Sequence, residues 1–170
     1  MKSMLPKKLV DLACQVIAEN LAIGRTISVA ESCTGGLVCA ALTEVPGSSA
    51  VLQYGYVTYA NDAKTRTLGV NSELLETFGA VSIAVAWAMA QGALEKSGAD
   101  IAIAISGVAG PGGGSDQKPI GTVVFAVAEK GKNPEDVLAG RENFGADLSR
   151  ADVRMAATLH ALELLLPTAQ

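Results

Sequence analysis

A chain of 170 residues is long enough to bury a full core without disulfide or metal staples, and a single domain over 1–170 is expected. Apolar residues make up 49% of it and aromatics only 4%, so the core has to be built from Ala, Val, Leu and Ile. With 13 Lys and Arg against 17 Asp and Glu, the net charge of −4 offers no electrostatic footprint for nucleic acid, and nucleic-acid binding is set aside.

Leu9, Leu12, Ala13, Val16 and Ile17 recur at helical spacing, so the first twenty residues are read as an amphipathic helix stopped by Gly24. Asp11, Gln15, Glu19 and Asn20 break any continuous apolar run there, which excludes a signal peptide. "RTISVA" predicts a short strand, and "TGGLVCAALTEV" a helix ended by Pro46 and Gly47. "AVLQYGYVTYA" is β-branched and aromatic and predicts the second strand. "NSELLETFG" carries a capping signature, Asn71 or Ser72 ahead of Glu73 and Glu76, and "VSIAVAWAMAQGALEKSG" is a long helix stopped at Gly98.

Residues 77–94 form the longest charge-free run, close to a membrane span in length. Gly79, Ser82, Gln91 and Gly92 interrupt it, and Ala stands where Leu would be expected, so a buried helix fits better. A cytoplasmic protein without membrane partners is expected. "DIAIAISGVAG" is almost wholly apolar, as a strand buried on both faces should be. The glycine-rich "GPGGGSDQKP" leads into a further strand, "IGTVVFAVAEKG"; "EDVLAGRENF" contains an edge strand, and residues 147–166 a last helix. The order helix, strand, helix, strand, helix, strand, strand, strand, helix predicts an α/β fold, a three-layer α/β/α sandwich. Its sheet is mixed, because the last strands follow one another without helices between them.

Cys14, Cys33 and Cys39 are odd in number and lack C-x-x-C spacing, which argues against disulfides or a zinc ribbon. His160 is the one histidine, and its neighbours "AATLHALELLL" read as packing, so no metal is expected. The glycine-rich loop is neither a Walker loop nor a dinucleotide fingerprint, since it enters a strand at Pro119 and lacks the Gly-Lys-Ser/Thr register. It is a mobile connection or a ligand-binding loop.

Ser32, in "ISVAESCTGG", stands where a strand gives way to a helix. Ser32 or Thr34 caps that helix, or Ser32 presents a nucleophilic hydroxyl to backbone N–H groups able to hold an oxyanion. Cys33 is a rival nucleophile but reads mainly as packing. A serine nucleophile needs a base, and a lysine of lowered pKa can serve. "YVTYANDAK" places Tyr59 at the end of the second strand and Lys64 in the turn after it, where the bland alternative is a surface lysine. Arg150 and Arg154, four apart, share one helix face and either clamp an anion or pair with Asp147 and Asp152.

Together, "VAESCTGG", "VTYANDAK" with "LGV" behind it, "GAVS", "SGVAGPGGG" with "KPIGTV", and "RADVR" resemble, in order, the motifs of the CinA carboxy-terminal domain family. The resemblance spans nearly the whole chain. It implies a three-layer sandwich on a mixed, mostly parallel five-stranded sheet, and hydrolysis of nicotinamide mononucleotide to nicotinic acid mononucleotide and ammonia. Carried across by motif, the nucleophile falls on Ser32, with Tyr59 and Lys64 as its catalytic partners. Thr34, Gly35, Ser106, Gly107 and Arg150 fall in the substrate-binding set, Thr34 also serving as helix cap. Ile83 stands where relatives often carry an acidic residue, and Ser106 where threonine is frequent. Some relatives have a further amino-terminal domain, for which 170 residues leave no room.

The expected chemistry is acyl transfer, with the helix-start N–H groups holding the oxyanion and no cofactor required. The partner is a small-molecule nucleotide, and a homo-oligomer stays open. The rival readings are a serine–lysine amidase acting on another small amide, and a non-catalytic nucleotide-binding or competence-associated module.

Overall fold

The computed structural model describes residues 3–167, so residues 1 and 2 of the expected first helix lie outside it. The chain runs α1 (Lys7–Ala22), β1 (Ile27–Glu31), α2 (Leu37–Thr43), β2 (Leu52–Val57), α3 (Asn61–Leu68), α4 (Ser72–Phe78) and α5 (Ile83–Ser97). It continues through β3 (Ile101–Gly107), β4 (Thr122–Glu129), β5 (Leu138–Asn143) and α6 (Arg150–Leu164). The strands form one mixed sheet in the order β2-β1-β3-β4-β5. β2, β1 and β3 are parallel, β4 runs against them, and β5 is antiparallel to β4, so four of the five strands point one way. Helices cover both faces, which makes the α/β/α sandwich.

Alternation along the strands explains the two layers. Ile101, Ile103 and Ile105 point to one face with Val123, Phe125 and Val127, where α1, α2 and α6 pack. Ala102, Ala104, Ala126 and Ala128 point to the other, where α3, α4 and α5 pack. Small residues on that second face let α5, itself rich in alanine, lie close to the sheet. Gly92 brings α5 closer still to α3: a Cβ there would sit 1.9 Å from the Leu68 carbonyl oxygen.

The expected cap at Asn71 and stop at Gly98 are in place, and Ser82 adds a cap that was not read from the sequence. Asn71 accepts from the Glu73 N–H at 2.8 Å, Ser82 Oγ accepts from the Val85 N–H at 3.3 Å, and Gly98 ends α5 in the left-handed conformation. One element was not expected. α3 occupies the stretch read as a turn, because "NDAKTRTL" shows no apolar stripe; its buried residues are Lys64 and Leu68. With the one expected helix also divided into α4 and α5, three helices connect β2 to β3. No described helix is long and apolar enough to cross a membrane.

The strand order reverses at β1: the chain leaves it for β2 on one side and returns to β3 on the other. In such sheets a crevice opens beyond the carboxyl ends of the strands at the reversal. Ser32 lies there, its N–H bonded to the Ile105 carbonyl at 2.9 Å.

Candidate active site

β1 ends at Glu31 because the next five residues cannot extend it. Gly35 and Gly36 take φ of +63° and +98°, a left-handed pair closed by the Gly35 N–H on the Ser32 carbonyl at 3.0 Å. The turn leaves Ser32 at 8% exposure, just within reach of solvent. α2 starts after Gly36, and no side chain at that N-cap position caps it.

The expected cap, Thr34, does not perform that task. Its Oγ1 is buried and finds no hydrogen-bond partner among the described residues. Glu31 does it instead: its fully buried carboxylate accepts from the Gly36 N–H at 2.8 Å, the Val38 N–H at 3.2 Å and the Cys39 N–H at 2.9 Å. A carboxylate five residues upstream reaches three N–H groups, where a hydroxyl reaches one or two. The first N–H groups of α2 expected to receive an oxyanion are thus already committed.

Lys64 is 0% exposed and projects from α3 toward the end of β1. Its Nζ lies 3.1 Å from Ser32 Oγ, and it donates to the Thr58 carbonyl at 2.7 Å and the Tyr59 carbonyl at 3.3 Å. A neutral amine has two N–H bonds and one lone pair. In that form the two carbonyls take the N–H bonds and the lone pair faces the serine hydroxyl; in the ammonium form the third N–H donates to Ser32 Oγ. Burial pushes the Lys64 pKa below its ordinary value of 10.5, and the Cys33 thiol beside it pushes the other way more weakly.

Cys33 is held in the opposite sense. Burial, helped by the Glu31 carboxylate, raises its thiol to about 11 against the backbone N–H groups of Cys33 and Thr34. A thiol so raised is protonated at neutral pH and a poor nucleophile. Cys39 is raised further by burial and the same carboxylate.

Arg150 and Arg154 do not pair with Asp147 or Asp152 among the described residues. Arg150 donates through Nη1 to the Gly110 carbonyl at 2.7 Å and through Nη2 to the Tyr59 hydroxyl at 2.8 Å, tying the glycine-rich loop to the end of β2. Arg154 donates to the Thr34 carbonyl at 3.0 Å and braces the Ser32 turn. Tyr59 is 59% exposed, so its carbonyl serves Lys64 while its hydroxyl faces Arg150. Ser106 is buried on the strand beside Ser32, and its Oγ donates to the Ala80 carbonyl at 2.7 Å. Gly107 leaves no room for a side chain: a Cβ would meet the Thr122 carbonyl at 2.8 Å and Cys33 Sγ at 3.1 Å.

Of the expected residues, the fold therefore joins Ser32, Lys64 and the Tyr59 backbone directly, and Arg150 through the tyrosine hydroxyl. Ser106 and Gly107 flank them from β3. Glu31 and Thr58 were not anticipated, and Arg154, read with Arg150 as an anion clamp or an aspartate partner, donates to the Thr34 carbonyl instead. Glu31 carried a signal, an acidic residue ending an apolar strand just before a glycine pair; Thr58 acts through its carbonyl, which any residue supplies.

The fold thus sets a serine hydroxyl against a buried lysine at the carboxyl ends of an α/β sheet, within the distance over which an amine and a hydroxyl can exchange a proton. The chain belongs to the CinA family: the model of the CinA C-terminal domain matches residues 10–169. A nicotinamide-nucleotide amidohydrolase, PncC, from Enterobacter agglomerans is 44% identical over 163 residues, 96% of each chain. A CinA-like protein from Parasynechococcus marenigrum is 49% identical over 155 residues, covering 91% of this chain and 36% of that one. The chain spans about a third of the length of many of the CinA-like proteins it matches. The crystal structure of the competence/damage inducible protein CihA from Agrobacterium tumefaciens superposes with a TM-score of 0.93 at 46% identity, over 99% of this chain and all of that one.

Proposed function

We propose that the chain is a nicotinamide-nucleotide amidohydrolase that converts nicotinamide mononucleotide to nicotinic acid mononucleotide and ammonia. The observation that carries the chemistry is Lys64 Nζ at 3.1 Å from Ser32 Oγ, in a buried site whose other acceptors are two backbone carbonyls. The full-length likeness to the Enterobacter enzyme supports the substrate.

Neutral Lys64 takes the Ser32 proton as Oγ attacks the carboxamide carbon. The tetrahedral intermediate collapses, the C–N bond breaks, and the lysine proton goes to the departing ammonia. Water, deprotonated by Lys64 in turn, then hydrolyses the acyl-serine and restores Ser32. With the α2 N–H groups held by Glu31, the backbone N–H groups of Cys33 and Thr34, at the Ser32 turn itself, hold the oxyanion. Lys64 acts directly, since the Tyr59 hydroxyl is turned to Arg150. Tyr59, Arg150, Gly35 and the glycine loop opening at Ser106 and Gly107 bind the ribose and phosphate. We assign the whole of 1–170 to one cytoplasmic domain that needs no cofactor.

The test is incubation of the purified protein with nicotinamide mononucleotide, following ammonia and the acid product together. Equimolar release of both is expected. Ammonia from other small amides but not from this nucleotide would keep the dyad and discard the substrate; ligand binding without turnover would favour a non-catalytic module.

A further inference from the structure

We propose that Glu31 is a positioning residue for the nucleophile: its buried carboxylate anchors the start of α2 and so holds the Ser32 turn at the distance Lys64 requires. The proposal rests on Ser32 being the nucleophile. Its geometry is independent of any substrate.

A fully buried carboxylate is costly unless its oxygens are occupied. Glu31 has no cation among its described ion pairs; its partners are the N–H groups of Gly36, Val38 and Cys39. Those three groups lie four to seven residues from Ser32, and Glu31 is covalently next to it. The carboxylate therefore closes a short ring: strand end, Ser32, glycine turn, helix start, and back to Glu31. Two left-handed glycines inside that ring make it pliable, and a pliable turn places its hydroxyl poorly. The Ser32 N–H on Ile105 and Arg154 on the Thr34 carbonyl are further ties, but each fixes a single atom. Glu31 fixes three, and it does not touch the hydroxyl or the lysine.

The carboxylate also adds to what burial imposes on the neighbouring thiols. Its negative charge opposes thiolate formation at Cys33 and Cys39. In this turn the serine is activated and the adjacent thiol is held inert by one and the same packing.

Glu31→Gln keeps the volume but turns an NH₂ group toward backbone donors, so at least one contact to the helix start becomes donor against donor. Displacing Ser32 by about 1 Å costs on the order of 10²-fold in rate. The expected result is a folded protein with kcat reduced by roughly that factor, KM within about twofold, and the alkaline rise of activity in place, because that rise belongs to Lys64. A serine-directed sulfonyl fluoride, which forms an Oγ–S bond and expels fluoride, should label Ser32 correspondingly more slowly. Wild-type kcat and labelling rate in Glu31→Gln would overturn the proposal, as would a raised KM with kcat retained. Should Glu31→Gln fail to fold, Glu31→Asp and the wild-type amide exchange decide: slow exchange at Gly36, Val38 and Cys39 with reduced kcat in the aspartate variant supports the role, and fast exchange refutes it. A wild-type protein labelled at Ser32 but inert toward the mononucleotide would sink the substrate assignment alone, and the labelling rates would still judge Glu31.

Discussion

Ser32 and Cys33 are chain neighbours with opposite prospects. Ser32 Oγ faces a lysine nitrogen at 3.1 Å, whereas the Cys33 thiol is raised to about 11. Ser32→Ala should abolish ammonia release and leave the circular dichroism unchanged; Cys33→Ala should keep most of the rate. An active Ser32→Ala alongside a dead Cys33→Ala would move the nucleophile one residue on. Lys64 makes the second residue-scale case. Its lowered pKa means that activity rises with pH through an apparent pKa below 10.5, as the amine loses its proton and becomes a base. Lys64→Arg keeps a cation but cannot deprotonate, so turnover should fall by on the order of 10²- to 10⁴-fold at every pH. Near-normal turnover in that variant would leave Ser32 in need of another base.

At the scale of elements, the placement of Lys64 depends on how closely two helices meet. Gly92 in α5 faces the carbonyl of Leu68, the last residue of α3, and an added Cβ would sit 1.9 Å from that oxygen. Alanine in a helix interior is intrinsically favoured over glycine by about 1 kcal/mol. Backbone overlap outweighs that gain, because one helix must shift as a body, and overpacking of this kind costs about 1–3 kcal/mol. Gly92→Ala should therefore lower the urea midpoint. Since α3 carries Lys64, kcat should fall with it. A midpoint equal to wild type would show that α3 moves aside freely. The predicted cap at Asn71 and stop at Gly98 are features of the same scale, legible because a cap and its helix lie within a few residues.

At the scale of the whole molecule, burying Lys64 links stability to pH. Its folded pKa lies below the ordinary 10.5 that it regains on unfolding. Between those two values the unfolded chain binds more protons than the folded one, so stability rises with pH across that window. Below the folded pKa both states are protonated, and the burial penalty is present in full. The stability of wild type minus that of Lys64→Met should therefore climb as pH is raised toward 10.5, by at most about 1.4 kcal/mol per pH unit. Groups common to both proteins cancel in the difference. Urea titrations at several alkaline pH values measure it, and a flat difference would mean that Lys64 titrates as a free lysine.

Composition and periodicity by themselves determined the α/β class, the doubly buried β3, and the long alanine-rich α5. They did so because these properties repeat within a few residues along the chain. The motifs "VAESCTGG" and "YVTYANDAK" likewise marked Ser32, Tyr59 and Lys64. Only the tertiary structure decided that Lys64 is buried against Ser32, 32 residues away, and that Arg150 meets Tyr59 across 91. It alone showed α3, whose inward face carries a lysine where an apolar stripe would have announced a helix. It replaced Thr34 with Glu31 as the cap of α2, because a carboxylate at a strand end reaches a helix start only after the glycine turn has folded back. The physical reason is common to all of these. Propensity and periodicity are local, whereas the burial of a charge and the pairing of side chains are settled by the sheet order that brings distant strand ends together.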